Sequence, residues 1–205
     1  MNVENKIDSL DDMCDDNYLD LKQDDTEVKI KSLNIDMINI NYKLDLNRLN
    51  FYEPSYRYKK NFTRNLLTGI YNGYKFYIQD LGKFPTAYIE IPKEDKIYNI
   101  DYTDIYNIDY TDSMVRNIET HFGLTYSCDY LVVNRNVKNV NDCTIKDSWF
   151  IGWDYGHLGD YTEFDDIGNW TTNVHGKKWT TKEILHDCIS VINQIIKINK
   201  GGNDE

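Results

Sequence analysis

Ile70-Tyr71-Asn72-Gly73-Tyr74-Lys75-Phe76-Tyr77-Ile78 is the stretch whose reading sets the fold. Two aromatic and β-branched runs flank an Asn-Gly pair, and a type I′ turn needs positive φ at both of its central residues. The stretch reads as a β-hairpin, which commits the chain to antiparallel pairing. Downstream, Thr86-Ala87-Tyr88-Ile89-Glu90-Ile91 is a further strand, ended by Pro92, which has no N–H for a ladder. Upstream, Val28 to Lys31 and Asn34 to Tyr42 alternate as strands with one buried face. Asn47 to Asn50 reads as a turn. Later in the chain, Leu131-Val132-Val133 and Ser148-Trp149-Phe150-Ile151-Gly152-Trp153 are buried-strand candidates, joined by a polar connection from Asn134 to Asp147. A second long connection runs from Asp165 to Gly176.

The chain closes with its clearest helix. Thr180 can cap it and Glu183 stands three residues on, the spacing of a capping box. Ile184, Cys188, Val191, Ile192, Ile195 and Ile196 then share one side, and Gly201-Gly202 stops the run. The expectation is an α+β domain, a mostly antiparallel sheet with a long C-terminal helix packed on it, spanning residues 28–200.

Composition limits the functional classes. Of 205 residues, 34 are acidic and 23 are Lys or Arg, a net charge of -11. Residues 1–27 carry ten acids and two lysines, so the imbalance is mostly N-terminal. This segment reads as a flexible acidic tail or, with Leu10, Met13, Cys14, Tyr18 and Leu21 in helical spacing, as a short amphipathic helix. Its aspartates Asp11, Asp12, Asp15, Asp16 and Asp20 are the candidate contacts to a partner with a basic surface. Direct nucleic-acid binding is not expected, because phosphate contacts call for clustered Lys and Arg. The small basic cluster of Arg57, Lys59 and Lys60 is explained as well by solvated side chains beside core aromatics. No apolar run is long enough for a membrane helix, and the first residues do not read as a signal peptide. Cys14, Cys128, Cys143 and Cys188 form no CxxC pair and read as free thiols. Tyr98-Asn99-Ile100-Asp101-Tyr102-Thr103-Asp104 recurs as Tyr106 to Asp112, two copies that are too few for a repeat architecture.

Two segments concentrate chemistry. One is Glu119-Thr120-His121-Phe122-Gly123-Leu124-Thr125-Tyr126-Ser127-Cys128; the other is Trp153-Asp154-Tyr155-Gly156-His157-Leu158-Gly159-Asp160. Asp154, His157 and Asp160 lie three apart in a glycine-rich loop after a strand. With His121 they supply two imidazoles and two carboxylates, a set that can hold a divalent zinc or manganese ion or work as a His–Asp acid–base pair. The alternatives are a buried polar network, in which Asp154 or Asp160 accepts backbone amides and His157 is held between strand and helix, and a loop that contacts a partner. Cys128 is a candidate nucleophile beside His121 or a small buried hydrophobe. His186 reads as a boundary residue of the helix, and His175 carries no stronger signal. No HExxH, GxGxxG, Walker or GxSxG pattern is present.

Those same segments carry a resemblance. Tyr88-Ile89-Glu90-Ile91-Pro92, His121-Phe122-Gly123-Leu124-Thr125-Tyr126 and Trp149-Phe150-Ile151-Gly152-Trp153-Asp154-Tyr155-Gly156-His157-Leu158-Gly159-Asp160 resemble a widespread family of small, uncharacterised phage and prophage proteins. That family shows Tyr-Val-x-Val-Pro, then His-Gly-Gly-Leu-Thr-Tyr, then Trp-Trp-Phe-Gly-Phe-Asp-Cys-Ala-His-Ala-Gly-Asp, and ends in a helix. The likeness covers about residues 81–198. Phe122 stands where the family usually has Gly, and Tyr155 where it usually has Cys, which argues against a thiolate there. The resemblance implies a phage protein working in the host cytoplasm. It would inhibit a host factor, such as an antiviral defence nuclease. Alternatively it would be a metal-dependent hydrolase of a nucleotide or phosphoester using the His and Asp loop.

Overall fold

The computed structural model describes residues 38–39, 51–56, 63–103, 115–134, 143–162 and 173–201. Within them lie six strands and one long helix: β1 (Ile38–Asn39), β2 (Arg64–Tyr71), β3 (Tyr74–Asp80), β4 (Pro85–Ile91), β5 (Tyr126–Asn134), β6 (Cys143–Asp154) and α1 (Thr181–Asn199). They form one sheet in the order β1-β2-β3-β4-β6-β5. The short β1 runs parallel to β2, and every other pairing is antiparallel. The fold is α+β, as the hairpin and the terminal helix require.

The hairpin forms where the Asn-Gly pair places it. Asn72 has φ 49° and Gly73 has φ 86°, and Tyr71 pairs with Tyr74. On the next strand, β4 ends at Ile91, before Pro92. The helix is closed at its start by the full capping box. The Thr180 hydroxyl accepts from the Glu183 amide, and the Glu183 carboxylate accepts from the Thr180 amide. Gly201, at φ 97°, follows the last turn, and its amide donates to the Ile198 carbonyl.

The helix buries Ile184, Leu185, Cys188, Val191, Ile192 and Ile195 against one face of the sheet, on Phe76, Ile78, Ala87, Ile89, Ile91, Ile151 and Trp153. The opposite face is also buried, in keeping with the reading of Leu131 to Val133 and Ser148 to Trp153 as buried strands. Tyr77, Tyr88, Leu131, Val133 and Phe150 make a second core there. Two irregularities in the β5–β6 ladder, between Cys128 and Tyr130 and between Val132 and Asn134, explain it. Bulges bend a strand and strengthen its twist. They let β5 lean across the back of β3, where the Gln79 amide donates to the Val132 carbonyl.

β6 also reaches back to Cys143, into the stretch expected to be a polar connection. Thr144 pairs with Val132 and Ile145 with Leu131, and Ile145 packs on the second core, so alternation continues through residues that composition alone marks as loop. Of the expected strand from Asn34 to Tyr42, the described residues include Ile38 and Asn39 as β1. The acidic segment 1–27, Val28 to Lys31, Arg57, Lys59, Lys60 and the second copy of the internal echo lie outside the described residues. Among the described residues, Cys128 and Cys188 are free, and no helix is long and apolar enough to cross a membrane.

The cap gives a pH-dependent prediction. Partial burial of Glu183 works against its ionisation, but the Thr180 amide, Lys177 and the Thr180 hydroxyl together hold its carboxyl below the ordinary value of 4.5. A lowered folded-state pKa adds stability above the unfolded value, and that stability is lost as pH falls through the folded one. Thr180→Ala should lower stability by about 1 kcal/mol at neutral pH. In denaturant titrations, its gap from the wild-type protein should narrow as pH falls below 4.5.

Candidate functional site

The site begins where β6 leaves the sheet. Trp153 and Tyr155 alternate with Asp154, so both point to the helix side, and both are fully buried. The Tyr155 amide donates to the Pro85 carbonyl, which prolongs the pairing with β4 by one step. The Trp153 indole donates to the Tyr155 hydroxyl at 3.0 Å, and that hydroxyl donates to Asp187 Oδ2 on α1 at 2.7 Å. Burial, then Cys188 and Asp187, push the Tyr155 hydroxyl far above the ordinary tyrosine range. It is a permanent donor, a strut between sheet and helix.

A tight turn follows. The Asp160 amide donates to the His157 carbonyl at 3.0 Å, and the His157 amide donates back to Asp160 Oδ2 at 2.9 Å. Two glycines are required by close approach. A Cβ on Gly156 would stand 2.5 Å from the Phe84 ring, and one on Gly176 would stand 2.1 Å from the Asp160 carbonyl group. The Lys177 amide donates to Gly159 and its carbonyl accepts from Tyr161, so the strand-like lead into α1 clamps the turn from the other side.

His121 arrives from the loop ahead of β5. That loop is pinned to α1 by the Gln194 side chain, which accepts from the Glu119 amide and donates to the Glu119 carbonyl. It is pinned to β6 by the Thr125 amide on the Gly152 carbonyl. His121 Nε2 then lies 2.8 Å from Asp160 Oδ2, and its ring stacks on Tyr155 at 4.9 Å and 12°. Trp179, just ahead of α1, lies 4.7 Å from the His121 ring and donates its indole N–H to Asp160 Oδ1 at 2.8 Å. Phe122 lies parallel to the His157 ring, at 4.8 Å and 5°.

Asp160 is the hub. Only 3 % exposed, it meets three donors: the His121 ring, the His157 amide and the Trp179 indole. A carboxylate has about four lone-pair sites, so one remains. An ionised Asp160 only accepts, so His121 Nε2 carries the hydrogen and its Nδ1 keeps a lone pair when the ring is neutral. One ligand atom from each of His121, His157 and Asp160 lies within 4.8 Å of the other two. His157 Nδ1, and Thr120 Oγ1 in the residue before His121, are buried polar atoms with no hydrogen-bond partner among the described residues. The Asp154 carboxylate lies 3.5 Å from His157 Nδ1. The distance satisfies an ion-pair limit but is too long for a good hydrogen bond.

The structure thus groups three of the four predicted residues within 4.8 Å of one another, and the fourth, Asp154, adjoins the group through His157. Asp154 accepts from the Gly156 amide and serves the turn. Cys128 lies half-buried on β5 with its thiol toward Asp129 Oδ1 at 3.6 Å. His175 and His186 are exposed. Asp160 and Asp154 do accept backbone amides, as in the polar-network reading, but His157 is held beneath Phe122 instead of between strand and helix. Trp149, Trp153, Trp170 and Trp179 all fall in the last third of the sequence, where any that is exposed near His121 and His157 would make a stacking or protein-contact surface, and the structure brings Trp179 to His121. Tyr155 and Phe122 were missed as walls of the site. Tyr155 was detectable, because it continues the period-2 pattern of Trp153. Which tryptophan would reach the site was not, since the link of Trp179 to Asp160 spans 19 residues across a long connection. Trp170 and the five N-terminal aspartates lie outside the described residues.

Compared with protein-family models, with curated proteins and with solved structures, the chain matches none.

The hydrogen bonds separate two roles by mutation. Asp160→Ala strips the partner from three donors, and each buried unpaired group costs about 1–3 kcal/mol, so the variant should melt far below the wild-type protein. His157→Ala removes a side chain 25 % exposed and keeps the backbone bond to Asp160, so it should lose about 1 kcal/mol and melt cooperatively. Thermal melts of the two purified variants check the contrast.

Proposed function

We propose that His121, His157 and Asp160 form a divalent-cation centre and that the chain is a metal-dependent hydrolase of a nucleotide or another phosphoester. The observation that carries this reading is the convergence of two imidazoles and a carboxylate within 4.8 Å of one another at a place that reaches the surface. His121 and His157 side chains are 14 % and 25 % exposed, which leaves a path for solvent and ligand. Two His and one carboxylate suit zinc or manganese and leave coordination positions open. A bound ion would supply an activated water and neutralise charge on a phosphoryl oxygen.

The fit can be judged from one distance. His121 Nε2 and Asp160 Oδ2 are 2.8 Å apart, a hydrogen-bond separation. Two ligand atoms on a tetrahedral ion with bonds of about 2.0–2.1 Å stand about 3.3 Å apart. Binding would therefore replace the shared hydrogen and spread the pair by about half an ångström. The rings have stacking neighbours that permit such a shift, whereas the Asp160 backbone is clamped by Gly176 and Lys177. Elemental analysis of untagged protein should find about one equivalent of transition metal per chain. H121A and H157A should lose it together with any chelator-sensitive phosphoesterase activity. Absence of metal, with no melting shift on added zinc or manganese, would remove the hydrolase reading.

A second reading rests on the charge distribution: residues 1–27 hold most of the net charge of -11. In the phage setting that the resemblance implies, the acidic segment, including Asp11, Asp12, Asp15, Asp16 and Asp20, would dock on the basic surface of a host protein in the host cytoplasm and inhibit it. An antiviral defence nuclease has such a surface, because it holds nucleic acid. Binding of this kind should weaken as salt rises and be lost on deletion of residues 1–27. Pull-downs from host lysate at two ionic strengths, with full-length and truncated protein, test it. Undiminished capture by the truncated chain would sink it.

A further inference from the structure

Phe122 is in an unusual position for a large apolar side chain. It is 64 % exposed, although it touches both imidazoles of the centre. Its ring lies flat on His157 and meets His121 edge-on at 4.9 Å, so one face is covered and the other is open to solvent. Its backbone has φ 59°, and Gly123 follows at φ 93°. A bulky residue is an outlier in that region, and such outliers cluster at ligand sites. Leu158, which follows His157 in the sequence, is 92 % exposed. The chain therefore holds a flat aromatic face in water at the mouth of the His and Asp centre, at a cost in backbone conformation.

The rim has one other feature of use to a ligand. The Lys177 ammonium sits 3.4 Å from the Trp179 ring centroid, and Trp179 packs on His121. The ammonium is paired with Glu183 at 3.0 Å but is half-exposed, so it faces incoming anions. Planar bases stack on aromatic rings whatever their edge pattern, since every base has a π-face. Sugars and simple phosphates have no such face.

We propose that Phe122 is a stacking platform for the base of a nucleotide whose phosphate reaches the His121–His157–Asp160 centre. The inference rests on the phosphoester reading and names its substrate class. The metal and Lys177 would attract the phosphate, and Phe122 would select ligands that carry a planar ring.

Calorimetric titration of the full chain tests this with three probes: AMP, ribose 5-phosphate and adenosine, each with and without manganese. Manganese alone is titrated first, into wild-type protein and each variant. AMP should bind about tenfold more tightly than ribose 5-phosphate. Phe122→Leu keeps an apolar side chain without a π-face and should erase that preference; Phe122→Trp should retain it. Equal binding of AMP and ribose 5-phosphate to manganese-loaded wild-type protein overturns the platform and leaves the metal centre standing. Failure of manganese to bind overturns the metal reading alone, provided adenosine still binds wild-type protein and not F122L. A base preference that survives in F122L overturns the assignment, and would turn the exposed ring into a contact for a protein partner.

Discussion

The Asp160 carboxylate joins three segments that are remote in sequence. His121 comes from the loop before β5, the His157 amide from the turn after β6, and Trp179 from the approach to α1. Each donates to the same buried group, so each segment is placed relative to the other two by one pair of oxygens. A buried carboxylate is tolerated only when its lone pairs are satisfied. Here the satisfaction is itself the assembly of the site. The geometry of the imidazoles follows from it, because moving any one segment would leave a donor or the carboxylate unmatched.

The hub stands on a rigid base. Behind it the Trp153–Tyr155–Asp187 chain of hydrogen bonds crosses from sheet to helix, inside the main core. Tyr155 has two duties there: its hydroxyl ties to the helix while its ring is the floor under His121. On the far side of the sheet the bulged β5 folds over Tyr77, Tyr88 and Phe150, so β6 is covered on both faces. The strand that delivers Trp153 and Asp154 to the site is consequently held in its place by two cores. A site built at the end of such a strand inherits its rigidity, while the open ring of Phe122 stands clear of both cores.

Much of the fold was legible because its signals are local. Asn72-Gly73 states a turn through the φ values that the turn requires, and Thr180 with Glu183 states a helix start through two hydrogen bonds three residues apart. The apolar stripe of α1 names its buried face without reference to what covers it. Less was legible where burial came from distant chain. Cys143 to Asp147 looks polar by composition, yet pairs as strand because β5 lies beside it. What covers the second core was hidden for the same reason, since bulges carry no fixed residue pattern. At the site, His121, His157 and Asp160 were nameable as chemistry-bearing residues, but so was Asp154, which has the same spacing and a different fate.

By itself, then, the amino-acid order determined the hairpin, the capped helix, the α+β class, the concentration of acid ahead of the domain and a short roster of candidate ligands. These follow from dihedral preferences, periodicity and charge, all of which act over a few residues. Only the tertiary structure decided that His121 meets His157 and Asp160 while Asp154 holds the turn beside His157, and that Trp179 closes the group. That choice depends on which donors reach a single buried carboxylate across separations of up to 39 residues. Contacts of that range are set by the packing of sheet on helix, and no local pattern encodes them.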